Sequence, residues 1–307
     1  MMQSSQKWLI IILIIAGLYG VSVGISYLYQ GGTTFEDNIA VIPIHGVISF
    51  EESRGFGFTS SEANAEHITQ FIEQANNDPS TKGILLDINS PGGTVIASKE
   101  IATAVKASEK PVVAVIREVG ASGAYWIASA SDYIIADELS ITGSIGVVGS
   151  YLEFSELFEK YGVNYERLVG GEHKDAGSPF KKLTQEEERL LQKKIDLIHE
   201  AFIQEVATNR NMSIEDVRTT ATGMFYLGSE AKTLGLIDAT GTKDDALTKV
   251  KELANTPDAT IIEYEERHGL FDVLSGMQSN SAYYFGRGFA RELSEINVEQ
   301  DYQINAR

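Results

Sequence analysis

The sequence contains no cysteine. It therefore forms no disulfide, has no thiolate nucleophile and offers no sulfur to a zinc site, and cysteine usage says nothing about redox compartment. Basic residues are few beside acidic ones, 25 against 43, for a formal net charge of −18. A surface so acidic repels polyanions, which removes DNA and RNA from the expected partners. Phosphate-binding glycine signatures are missing too: no G-x-x-x-x-G-K-[ST] occurs, nor any G-x-G-x-x-G opening a helix. No internal repeat is visible. No metal and no cofactor is expected.

What is present is ordinary for a folded protein, with 43% hydrophobic and 22% charged residues over 307 positions. One uncharged run stands apart, the 22 residues Trp8–Tyr29. About 20 apolar residues in a helix cross a bilayer, and a cleaved signal peptide has a shorter core with a small-residue site, imitated here only by "SVG" at 22–24. Lys7 precedes the run and Glu36 and Asp37 follow it, so the N-terminus is expected in the cytoplasm and the rest outside the membrane. This divides the chain into a cytoplasmic 1–7, a transmembrane anchor 8–29, a linker 30–38, a folded domain 39–255 and a C-terminal extension 256–307 that the pattern leaves unassigned.

Within the domain, "IAVIPIHG" (39–46), "GILLDIN" (83–89), "PVVAVI" (111–116) and "DYIIAD" (132–137) read as strands, nearly all apolar. Helical periodicity lies between and after them: Ile68, Phe71, Ile72 and Ala75 in one helix, Ile96, Ile101, Ala104 and Val105 in the next. Leu191, Ile195, Ile198 and Phe202 stripe a long later helix. Thr59 with Glu62 and Thr184 with Glu187 have the spacing of capping boxes. Apolar strands alternating with helices predict an α/β domain, a mostly parallel sheet buried between helical layers. "ATIIEYEE" (259–266), just past that domain boundary, reads as a late strand.

Three glycine-rich corners follow strand ends: "SPGG" (90–93), "GASGA" (120–124) and "TGSIG" (142–146). In parallel sheets ligands bind at that edge. "SPGG" reads either as a tight turn or as a loop whose bare amides face a developing oxyanion. "GASGA" reads either as a small-residue helix start or as a nucleophile corner around Ser122, with the Gly123 amide as a second oxyanion donor. It is not the G-x-S-x-G elbow, because Ala124 stands where that motif needs glycine. A serine nucleophile needs a base. Of the five histidines, His45, His67, His173, His199 and His268, none sits in a glycine-rich corner, and beside His173 stands Lys174. A lysine serves as base when its environment favours the neutral amine, yet a lone lysine in a polar loop is more often a solvated charge.

"DINSPGG", "REVGASGAYWIASASDYIIAD", "TGSIGV" and "GGEHKDAGSPFKKLTQEE" occur together, in order, with 52 residues separating Ser122 from Lys174. In this the chain resembles the signal peptide peptidase A family, membrane-anchored Ser/Lys peptidases of the ClpP/crotonase-like fold, over about 39–253. The resemblance is to the short, single-domain form. It implies Ser122 as nucleophile, Lys174 as general base, Gly93 and Gly123 as oxyanion amides, and Ser144 as the residue orienting the lysine. It also implies signal-peptide remnants and other membrane-associated peptides as substrates. In the short form the dyad is shared between protomers of a ring, so Ser122 and Lys174 are expected to make no hydrogen bond within one chain. Two other readings stay open, a crotonase-like acyl-CoA enzyme that needs neither residue and a non-catalytic membrane scaffold of the same fold.

Overall fold

A computed structural model describes residues 13–22, 36–50 and 62–265. Residues 13–22 are helical (α1), with Leu13, Leu18 and Tyr19 among their exposed side chains. The rest of the expected 8–29 span lies outside the described residues, as do the loop 51–61, His268 and most of the C-terminal extension. Among the described residues no helix is long and apolar enough to cross a membrane.

The apolar strands form the centre of the domain. β1 (Asn38–His45), β4 (Thr81–Ser90), β5 (Val112–Ala121) and β6 (Tyr133–Ala136) lie side by side, all parallel. β10 (Thr260–Glu263), the late strand of the sequence reading, joins β1, and β9 (Ala239–Thr240) joins β6, both in parallel. Side chains alternate between two buried faces. Ile42, Ile44, Leu86, Ile88 and Ile116 pack under α2 (Ala65–Asn77), α3 (Val95–Lys106) and α4 (Gly123–Ser129). Ile39, Val41, Leu85, Val113 and Val115 pack under α9 (Lys243–Leu253). Each such side chain contributes about 1.5–3 kcal/mol by leaving water, which explains why these strands carry almost nothing polar.

Three details differ from the sequence pattern. β5 runs five residues beyond "PVVAVI": its first half pairs with β6, while Val119, Gly120 and Ala121 pair with β7 (Ile141–Gly143). β7 in turn takes β8 (Phe225–Leu227) as an antiparallel neighbour. At α2 the cap is Asn64, whose Oδ1 accepts from the amides of Glu66 and His67. Glu62 is no box partner, because Glu62–Asn64 (β3) is extended and pairs with Val47–Ser49 (β2). The Thr184–Glu187 box does form, at the start of the 25-residue α6 (Gln185–Asn209). The stripe of α6 divides, however: Phe202, Ile203, Val206 and Ala207 are buried, whereas Leu191 is exposed.

Candidate active site

β5 ends directly on Ser122. The Ser122 amide donates to the Gly143 carbonyl at 2.8 Å, continuing the β5–β7 ladder by one residue. Its φ is 54° and ψ −123°, a conformation that L-residues rarely occupy and that turns the chain sharply into α4. From Gly120 to Ser129 every residue is buried except Ser122. The bare stretch thus leaves one hydroxyl accessible on a corner otherwise closed.

Glycines from another strand make room for that corner. A Cβ on Gly92 would lie 2.9 Å from the Ser122 Cβ and 2.8 Å from the Gly123 nitrogen. A Cβ on Gly93 would lie 1.9 Å from the Ile48 carbonyl oxygen. Ile48 donates to the Gly92 carbonyl (2.9 Å) and accepts from the Thr94 amide (2.8 Å), so the Gly93 amide itself faces away from β2. It lies close to Gly123: a Cβ on Gly123 would lie 3.3 Å from the Gly93 nitrogen and 2.2 Å from Ser98 Oγ. Gly123 opens α4, and the first amides of a helix have no acceptor within it. Gly93 and Gly123 therefore come together beside Ser122, each with an amide that secondary structure does not consume.

α4 is pinned from behind. Trp126 stacks on Phe202 of α6 at 4.3 Å, and its Nε1 donates to Glu205 at 2.8 Å. The Tyr125 hydroxyl donates to the Leu236 carbonyl at 2.8 Å, and burial pushes that phenol up. Ser144, just beyond β7, also has positive φ, 52°. The register Ala121↔Gly143 makes Ser122 and Ser144 neighbours at adjoining strand ends. The Ser144 hydroxyl donates to the Gly223 carbonyl at 3.0 Å, which leaves its oxygen able to accept.

Lys174 lies on an exposed turn between Gly171 (φ 97°) and Gly177 (φ 83°). Within one chain no hydrogen bond links it to Ser122. Its surroundings are unusual: between Ile145 and Phe202 the one buried residue is Glu187. This arm includes α5 (Ser155–Lys160) and holds itself together through Phe158 stacked on Phe180 at 5.5 Å and Tyr165 tilted against Phe180 at 5.4 Å. Leu152, Leu157, Tyr161 and Leu168 are left exposed.

Two of the described histidines are engaged elsewhere. His199 contacts the Ile145 carbonyl, and His45 lies 3.8 Å from Asp87. Asp87 is a feature that sequence reasoning passed over, though a lone acid inside "GILLDIN" was a signal. Burial raises its carboxyl, but Lys243, whose Nζ lies 2.8 Å from Oδ2, together with nearby His45 and Arg117 holds it below the usual range. Among the described residues no group of acids and histidines could hold a metal ion.

The family model for peptidase family S49 matches residues 104–256, and that for Clp protease matches 56–135. A candidate protease of Methanocaldococcus jannaschii is 36% identical over 97% of this chain and 96% of its own length. The chain belongs to peptidase family S49. A candidate signal peptide peptidase SppA of Enterococcus faecium is 35% identical over 74% of this chain and 67% of its own. The chloroplastic serine protease SPPA of Arabidopsis thaliana is 32% identical over 91% of this chain but 42% of its own. The protein is thus a protease of the signal peptide peptidase A family, with the mostly parallel α/β sheet that the sequence pattern predicts and the ClpP-like fold that the resemblance implies.

Proposed function

We propose that this S49 protease is a membrane-anchored serine endopeptidase in which Ser122 attacks and Lys174 is the base. The observation that carries the reading is the corner itself: one accessible hydroxyl, held in a strained conformation, with Gly93 and Gly123 close beside it. The neutral Lys174 amine takes the Ser122 proton as Oγ adds to a peptide carbonyl. The Gly93 and Gly123 amides receive the oxyanion, the kind of stabilisation worth about 10²–10³ in rate per donor. Lysine returns the proton to the leaving amine, and water then releases the acyl group with the same base. Ser144 accepts from the lysine nitrogen and orients it.

The arm supports a shared dyad. The stretch 146–201, in which Glu187 is the one buried residue, gains little from the apolar effect alone, and its exposed leucines suit packing against a second copy of the chain. The lysine of one protomer then serves the serine of its neighbour in a ring-shaped homo-oligomer. The uncharged run Trp8–Tyr29, with Lys7 before it, supports a single-pass anchor with a cytoplasmic N-terminus. An anchored protease meets apolar peptides at the membrane surface, so signal-peptide remnants are the substrate class.

The test is cleavage of quenched apolar peptides by the full chain in detergent and by its Ser122→Ala and Lys174→Ala variants. Each single variant loses cleavage, and subunit exchange between them restores part of it. Wild-type rates in both variants would overturn the assignment.

A further inference from the structure

The turn carrying Lys174 is held by charge, since almost nothing in the arm is buried. Arg167 donates from Nε to Asp175 Oδ2 at 2.5 Å and from Nη2 to Oδ1 at 2.9 Å. The same Nη2 donates to the Glu172 carbonyl at 3.1 Å. One guanidinium thus grips the chain on both sides of Lys174. From the opposite side Lys181 Nζ lies 3.4 Å from Asp175 Oδ1 and 2.6 Å from Glu187 Oε1. Glu187 is the buried residue of the arm, and its other oxygen closes the capping box on the Thr184 amide at 3.0 Å. A continuous path therefore runs from the start of α6 through Lys181 and Asp175 to Arg167.

We propose that Arg167 and Lys181 are positioning residues for the base: they clamp Asp175, fix the Lys174 turn, and cancel the carboxylate charge of the residue that follows Lys174. This rests on Lys174 being the base. The physical reason is that an unpaired carboxylate one residue away stabilises the ammonium form, which cannot accept a proton. A bidentate arginine neutralises that charge and fixes geometry together, which a single ammonium does less well. The charged groups around the turn are Glu172, His173 and Asp175 on it, Arg167 before it, Lys181 after it, and Glu187 on α6. Arg167 and Lys181 balance Asp175 and Glu187, so the clamp adds no net charge.

The experiment follows kcat and KM for a quenched peptide across pH in the full chain. Arg167→Met lowers kcat roughly 10- to 100-fold with KM nearly constant, as misplacement of a reacting group does. Its acid limb moves to higher pH by about half a unit to one unit, the effect of one unscreened charge nearby. Arg167→Met combined with Asp175→Asn returns the limb to its original position, and Arg167→Lys lies between. Asp175→Asn alone leaves one positive charge unbalanced, since Glu187 still pairs Lys181, and moves the limb to lower pH. An acid limb unmoved in both Arg167→Met and Asp175→Asn overturns the proposal, because loss of mere structure lowers rates without shifting it. Lys174→Ala separates the two levels: wild-type rates there overturn the base assignment, while full loss there with unmoved limbs overturns the clamp alone.

Discussion

Ser122 holds a conformation that costs about 1–3 kcal/mol in a residue with a Cβ. Under the proposed function, that strain serves to turn the hydroxyl out of a buried corner. Ser122→Gly is expected to raise the melting temperature while abolishing cleavage, and thermal unfolding checks it; a lower melting temperature would show that the corner is unstrained. Gly93 presents the opposite case. A Cβ there meets the backbone oxygen of Ile48, which cannot swing aside as a side chain can. Gly93→Ala is expected to cost about 1–3 kcal/mol in urea unfolding and to lower kcat, because β2 or the amide must shift. The candidate positions Ser122, Gly93 and Gly123 were legible as motifs, whereas Lys174 became a candidate only through the family resemblance. Arg167 was not legible, because a single arginine in "NYERLVGG" has no local pattern to mark it.

At the scale of elements, α6 joins the two parts of the site. Its second half packs on Trp126 of α4, and its first turn anchors the path to Lys174. The Arg167 guanidinium beside Asp175 holds that carboxyl far below the usual range, and Lys181 does the same to a lesser extent for Glu187. Carboxyls depressed in the folded state stabilise it above their unfolded values and cease to do so as pH falls through their folded values. Acidification below the ordinary carboxylate range is therefore expected to loosen residues 150–183 before the sheet. Hydrogen exchange across that range measures it; simultaneous loss of arm and sheet protection would contradict the separation. The sequence stripe of α6 extended through Leu191 because periodicity records which face is apolar, and does not record what covers it. The mis-set cap of α2 has a similar origin: Thr59 and Glu62 had the right spacing, but pairing with β2 kept Glu62–Asn64 extended and moved the helix start to Ala65.

For the whole molecule the open question is what the arm packs against. Leu168, 97% exposed, lies six residues before Lys174, where an apolar side chain in water gains nothing. Under the shared-dyad reading, Leu168→Glu is expected to reduce the assembled mass in sedimentation and to lower cleavage in proportion. Unchanged mass would place this surface outside the subunit contact.

By itself the sequence determined the alternation of buried strands and helices, the glycine corners and the nucleophile candidate, since each is a local pattern that short-range sterics and burial impose. It also carried the family in the order and spacing of four motifs. Tertiary structure alone decided that β5 continues to Ser122, that amides 30 positions apart in the chain meet beside it, and that one arginine brackets the lysine turn. Those facts depend on parallel crossovers and on charges closing loops through space, which no run of neighbouring residues encodes.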